Sequence, residues 1–205
     1  DRFLVEPDLP IQVEATSNDP SLWRLYGLNN YGQSGGTTDA DIDAPEAWDI
    51  TTGSRDVVIG VIDSGVDVTH PDLAANIWVN PGETPNNGID DDGNGYVDDY
   101  NGWNPLQNND NYGTGGHGTN CLGMMGAKGN NGLNVVGANW DVKLMVVGGY
   151  NINTDANAIQ AYQYPYDMRV LWNNSGGTQG AFVVATSSSW GIDGEDPNNH
   201  PVWCS

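Results

Sequence analysis

The sequence predicts an α/β fold: a parallel sheet with helices on both faces, three layers deep and incomplete at its carboxy end. Two observations carry this. Segments 57–63 (VVIGVID), 142–147 (VKLMVV) and 181–185 (AFVVA) are almost continuously apolar rather than alternating, as strands are when both their faces are covered. Two helical patterns lie between them, so strand, helix, strand, helix, strand follow in order and require right-handed crossovers.

The first helix follows GHGTN and is predicted from about His117 through Leu122 to Ala127. The second is predicted from Thr154 to Asn173, with Ile159, Tyr162, Tyr166 and Val170 at helical spacing. Thr154 or Asp155 is suited to cap its start, and Pro165 is expected to kink or split it. Residues 1 to about 35 read as one extended segment followed by coil that wraps the surface. Residues 80–116 are rich in Gly, Asn and Asp with no apolar period, a stretch too long for an idle loop. After Gly191 the sheet is expected to leave an edge that needs cover.

The 205 residues suffice for one domain with a substantial core. Six basic against twenty-seven acidic residues give a net charge of -21. That balance repels nucleic acid and anionic lipid, so neither is an expected partner. Either a heavily solvated surface or bound cations account for it. No apolar run reaches the length of a membrane span, and the start, DRFLVEPDLP, has no signal-peptide pattern. Cys121 and Cys204 form no disulfide framework.

Asp63 ends the run VVIGVIDSG, at the carboxyl edge of the expected sheet, where α/β proteins hold their active sites. By itself a strand-terminal Asp is more often a loop anchor or a metal ligand. His117 stands in GTGGHGTN, where glycines let another backbone come close to the imidazole. By itself it reads as a helix cap in a tight turn.

The segment from Asp90 to Asp98 (DDDGNGYVD) has the spacing of a calcium loop. Asp90, Asp92 and Asn94 occupy positions 1, 3 and 5, Gly95 supplies the sharp turn, Tyr96 a carbonyl, and Asp98 a direct or water-mediated ligand. The glutamate of an EF-hand is missing, since Asn101 stands at position 12. A solvated acidic turn is the simpler alternative. Five carboxylates within ten residues repel one another unless a cation sits among them, so Ca2+ is the expected cofactor.

Taken together, VIDSGVDVTHPDL and the later GHGTNCLGMMGA resemble the first two signatures of the subtilisin-like serine peptidases. DIDAPEAWDITTG before them, GNNGLNVVGANWDVKLM after them and VVATSSSWG near the end match in the family's order, so the resemblance runs from about Asn18 to Cys204. It implies an endopeptidase with an Asp-His-Ser triad, in which Asp63 orients His117 and His117 shuttles the proton. This chain supplies only those two. The serine expected in a later GTS-type turn and the oxyanion-hole asparagine are not found, so a second chain or a missing carboxy-terminal part is implied. A catalytically inactive, calcium-stabilised peptide-binding fragment is the alternative.

The resemblance further implies that Ser189, Trp190 and Gly191 pair with an extended protein or peptide substrate. It places a second calcium ion at Asp72, Asn131 and the carbonyls of Leu133 and Val135. It makes Cys121 a buried, unpaired cysteine beneath the histidine, and the protein secreted or extracytoplasmic. Asn120 stands where a second histidine is common in the family. RFLVEPDLP resembles the last strand of an inhibitory propeptide, which divides the chain into residues 1–17 and a catalytic part, 18–205.

Overall fold

Four strands form one parallel sheet in the computed structural model, which describes residues 15–149, 154–191 and 194. They are β1 (Gly53–Asp63), β2 (Gly102–Trp103), β3 (Asp141–Gly148) and β4 (Val183–Ser188), in the order β2-β3-β1-β4. The three helices are α1 (Ala44–Ile50), α2 (Gly116–Gly126) and α3 (Asp155–Asn174). The first fourteen residues, His200 and Cys204 lie outside the described residues, and with them the propeptide-like strand.

Side-chain alternation along the central strands divides the core in two. Val58 and Ile62 of β1 and Met145 and Val147 of β3 join Ala161, Tyr164 and Met168 of α3 on one face. Val61 of β1 and Val142, Leu144 and Val146 of β3 join Leu122 of α2 on the other. Successive strand residues point to opposite faces, so both faces bury apolar side chains, and the three-layer arrangement follows. This is the three-layer α/β fold that the sequence predicts.

Several elements differ from expectation. β1 begins at Gly53, earlier than its apolar run, and β4 is displaced toward Ser188. The acidic stretch contains the unforeseen β2, where Gly102 has φ 144° and a Cβ would lie 1.7 Å from the Val146 carbonyl oxygen. Only glycine lets that backbone come so near β3. α1 was also unforeseen, being too short to show a period. It carries Pro45 in its first turn and buries Trp48, whose indole N–H donates to the Ala138 carbonyl at 2.9 Å.

Helix α3 has the expected cap, the Thr154 hydroxyl accepting from the Asn157 N–H. Pro165 does not split it. The ring is buried against β1, where a Cβ on Gly60 would come within 3.2 Å of Pro165 Cβ. That packing holds the helix together across the hydrogen bond the proline cannot make. The buried stripe is Ala158, Ala161, Tyr164, Pro165 and Met168, while Ile159 and Tyr166 are exposed. The expected spacing marked a face rotated from the buried one, which carries Tyr164 and Met168 beside its alanines, while Tyr162 packs at the margin of the core.

Candidate active site

β1 delivers Asp63 to the carboxyl edge of the sheet, opposite Gly148 of β3. The next turn, through Ser64 and Gly65, meets the start of α2. Gly118 has no room for a side chain: a Cβ would lie 2.2 Å from the Gly65 carbonyl oxygen and 3.1 Å from Asp63 Cβ. The glycines of GTGGHGTN therefore press the first turn of α2 against the end of β1. His117 Nδ1 lies 2.8 Å from Asp63 Oδ1 as a result, although 54 residues separate them.

The same oxygen accepts from the Ser64 N–H at 2.7 Å and the Ser64 hydroxyl at 3.1 Å. Asp63 Oδ2 is buried without a hydrogen-bond partner. The Asp63 side chain is 3% exposed and that of His117 61%. A buried carboxylate thus grips one nitrogen of an imidazole whose other nitrogen stays available. With a proton on Nδ1 donated to Asp63, Nε2 is an acceptor, as a general base must be.

Ser189, Trp190 and Gly191 follow the last residue of β4 rather than lying within it. Ser189 and Gly191 are exposed, and the Trp190 indole N–H donates to the Ile62 carbonyl at 3.1 Å, beside Asp63. Cys121 is unpaired as expected but half-buried rather than buried. Its Sγ lies 3.9 Å from His117 Nδ1, one helical turn along α2. Asn120 is exposed.

Within the acidic loop, the Asp90 carboxylate accepts from the Asn94 and Gly95 N–H groups at 3.1 and 2.9 Å. Asp92 accepts from the Asn94 N–H at 3.0 Å, and Asn94 Oδ1 from the Tyr96 N–H at 2.7 Å. Asp98 turns elsewhere: its two oxygens accept from the Asn87 and Gly88 N–H groups, each at 2.8 Å. In its place the structure brings Glu83, which the spacing did not reveal. Carboxylate oxygens of Glu83, Asp90 and Asp92 lie within 4.8 Å of one another. Glu83 is 7% exposed, and its Oε2 is buried without a partner. Burial raises its carboxyl above the usual range. An orphaned buried oxygen among three clustered acids fits a hard cation that takes oxygen ligands.

This loop is tied to the core through Asp99. Asp99 accepts from the Tyr164 hydroxyl of α3 at 2.8 Å, from Asn80 Nδ2 at 2.7 Å and from Asn94 Nδ2 at 3.0 Å. Burial nevertheless pushes the Asp99 carboxyl up to about 7.

At the second expected cation site, N–H groups of the 131–135 loop turn toward Asp72 and Asn131. Asp72 is fully buried and accepts from Asn131 Nδ2 at 3.4 Å and from the Val135 N–H at 3.2 Å, while the Leu133 N–H donates to Asn131 Oδ1 at 2.8 Å. Asp19, another residue the sequence reading missed, accepts from the Asn130 and Asn131 N–H groups at 2.8 and 3.3 Å. Only the fold brings an acid so early in the chain to this loop.

The profile of the subtilase family matches residues 54–202, and the chain belongs to that family. It is 46% identical over 100 residues to Subtilisin-like protease 1 of Plasmodium berghei (strain Anka), a stretch covering 47% of this chain and 17% of that protein. Over 109 residues it is 44% identical to Subtilisin-like protease 1 of Plasmodium vivax, covering 49% of this chain and 17% of the relative. Neuroendocrine convertase 2 of Homo sapiens is 38% identical over 65 residues, 32% of this chain and 10% of that protein. The chain thus spans under a fifth of the length of these relatives. Among the described residues no helix is long and apolar enough to cross a membrane.

Proposed function

We propose that this chain supplies the aspartate and histidine of a secreted serine endopeptidase, whose nucleophile stands on a second chain or on a part of the polypeptide outside it. The observation that carries the reading is the 2.8 Å pair between His117 Nδ1 and buried Asp63 at the carboxyl edge of the sheet. Asp63 holds the proton on Nδ1 and stabilises the imidazolium that forms. His117 Nε2 takes the proton of the serine hydroxyl as that oxygen attacks the peptide carbonyl, then passes it to the leaving amine. An extended substrate lies along Ser189, Trp190 and Gly191, held by backbone hydrogen bonds.

Calcium is proposed at Glu83, Asp90 and Asp92, with Asn94 and the Tyr96 carbonyl completing the ligands. A bound ion would offset the mutual repulsion of these acids and brace the loop. A second ion is proposed at Asp72 and Asn131 with the Leu133 and Val135 carbonyls. The support there is the convergence of two acids, Asp19 and Asp72, on one short loop.

Labelling of the full-length protein with a fluorophosphonate probe tests the enzymatic reading. Covalent label that disappears in His117→Ala is the expected result. A folded, calcium-loaded protein that takes no label would overturn it in favour of a peptide-binding module without catalysis, for which the exposed Ser189 and Gly191 still provide a surface.

A further inference from the structure

His117 and Cys121 are four residues apart on α2, a spacing that stacks two side chains on one helical face. Imidazole and thiolate at that separation are a chelating pair, and the fold adds a carboxylate. One ligand atom from each of Asp63, His117 and Cys121 lies within 4.8 Å of the other two. We propose that these three residues form a site for a thiophilic divalent cation, Zn2+ being the natural case, and that the ion reversibly switches off the imidazole.

The geometry suits such an ion. Zinc bonds of roughly 2.0–2.3 Å set tetrahedrally place ligand atoms roughly 3.3–3.7 Å apart. His117 Nδ1 stands 3.9 Å from Cys121 Sγ and 2.8 Å from Asp63 Oδ1, so only small side-chain adjustments are required. Asp63 brings a second oxygen, Oδ2, that is buried and has no hydrogen-bond partner to lose. The imidazole is exposed and the thiol half-buried, which leaves an entry path. Three protein ligands with an open fourth position make a weaker, exchangeable site than a closed four-ligand one. Sulfur and nitrogen donors disfavour calcium, which takes oxygen ligands, so this site and the acidic loop select different metals.

Binding releases one proton to solvent, from the Cys121 thiol, while the proton of His117 moves from Nδ1 to Nε2 as Nδ1 becomes a metal ligand and the imidazole stays neutral. The Asp63–His117 hydrogen bond is replaced by bonds to the ion. With Nδ1 on the ion and the proton on Nε2, the imidazole has no free lone pair left to accept a proton at Nε2. The regulatory meaning of the site rests on the peptidase reading above, whereas the site itself does not.

Co2+ serves as the spectroscopic stand-in for zinc, because a thiolate ligand gives it a charge-transfer absorption that oxygen ligands do not. The 205-residue chain carrying Cys204→Ser, with calcium in excess to fill the acidic loop, is titrated with Co2+ and then with Zn2+. The expected result is a thiolate–cobalt band that saturates at one ion per chain and is displaced by Zn2+. It is lost in Cys121→Ser, and the apparent affinity falls about tenfold or more in His117→Ala. Circular dichroism confirms that both variants are folded. Absence of the band, its persistence in Cys121→Ser, or an affinity unmoved by His117→Ala would each overturn the site.

A parallel assay on the full-length protein separates the two claims. Peptidase activity suppressed by Zn2+ and restored by a chelator is expected, with suppression requiring at least about tenfold more zinc in Cys121→Ser. Fluorophosphonate labelling without a cobalt band would sink the metal site and leave the peptidase standing. A cobalt band in a protein that never labels would keep the site and overturn its role as a switch.

Discussion

The carboxyl edge of β1 and the acidic loop between Asn80 and Trp103 both hold buried carboxylates, by opposite means. Asp63 is placed by main-chain elements: a strand paired on both sides, a helix start pressed against it, and Gly118, which has no space for a side chain. In the loop, carboxylates are placed by their own hydrogen bonds to backbone N–H groups, with little regular structure beneath them. Asp63 has a fixed partner in His117, whereas Glu83, Asp90 and Asp92 have one another. A site framed by packed elements keeps its shape without a ligand. A loop whose acids converge would depend on the proposed cation to separate them.

The largest test of this contrast is Asp63→Asn in the full-length protein. It should lower kcat by about 10⁴-fold, because the amide favours the wrong imidazole tautomer. Calcium affinity, followed by luminescence of bound Tb3+, should not change, since the loop does not use Asp63. A parallel loss of metal affinity would break the separation between the two regions.

Glu83→Gln is the reciprocal change. Thermal melts with calcium and with chelator should show that the stabilisation by calcium, about 2.7 kcal/mol when the ion is at 100 times its Kd, is largely lost. The NMR signals of the His117 ring should stay where they are in the parent chain. If they move, the loop and the dyad share one frame.

Gly118→Ala should destabilise the fold by about 1–3 kcal/mol through overpacking against Gly65 and Asp63, read as the midpoint of urea unfolding. Tyr164→Phe should cost about 1–3 kcal/mol by leaving buried Asp99 short of a donor, and should weaken calcium binding as well. Equal calcium affinity in the two variants would show that Tyr164 supports only the core.

The smallest expected effect is at alkaline pH, in the segment just before the helix. Burial pushes the Tyr112 phenol up to about 12 from its ordinary 10.0. The folded state therefore holds that proton more tightly than the unfolded chain. Its contribution to stability is fully present below pH 10 and is lost as pH rises toward 12. Urea midpoints across that range should fall, and Tyr112→Phe should flatten the decline.

Much of this molecule was legible before any coordinates. Three strands and two helices show in the chain through local signatures, continuous apolar runs and a helical period, whereas the Asp63–His117 pair is implied only by the resemblance to the subtilisin-like peptidases. Glu83 had no such signature. It lies seven residues ahead of Asp90, outside any loop spacing, and reaches Asp92 only because the chain turns back at Asn87 and Gly88. Asp19 was hidden for the same reason, its partners being more than a hundred residues away. The buried face of α3 was misjudged because the helix carries large apolar residues on more than one side: Ile159 and Tyr166 are exposed while Tyr164 and Met168 are buried.

What the sequence determined alone is the order of three strands and two helices and the three-layer class, since these follow from periodicity and residue type. The tertiary structure decided which groups meet. It set the imidazole on Asp63 rather than on solvent, set Cys121 beside the same nitrogen, turned Asp98 away from the acidic cluster and brought Glu83 into it. Contacts of this kind depend on how closely two backbones approach, and that distance is set by packing between elements far apart in the chain.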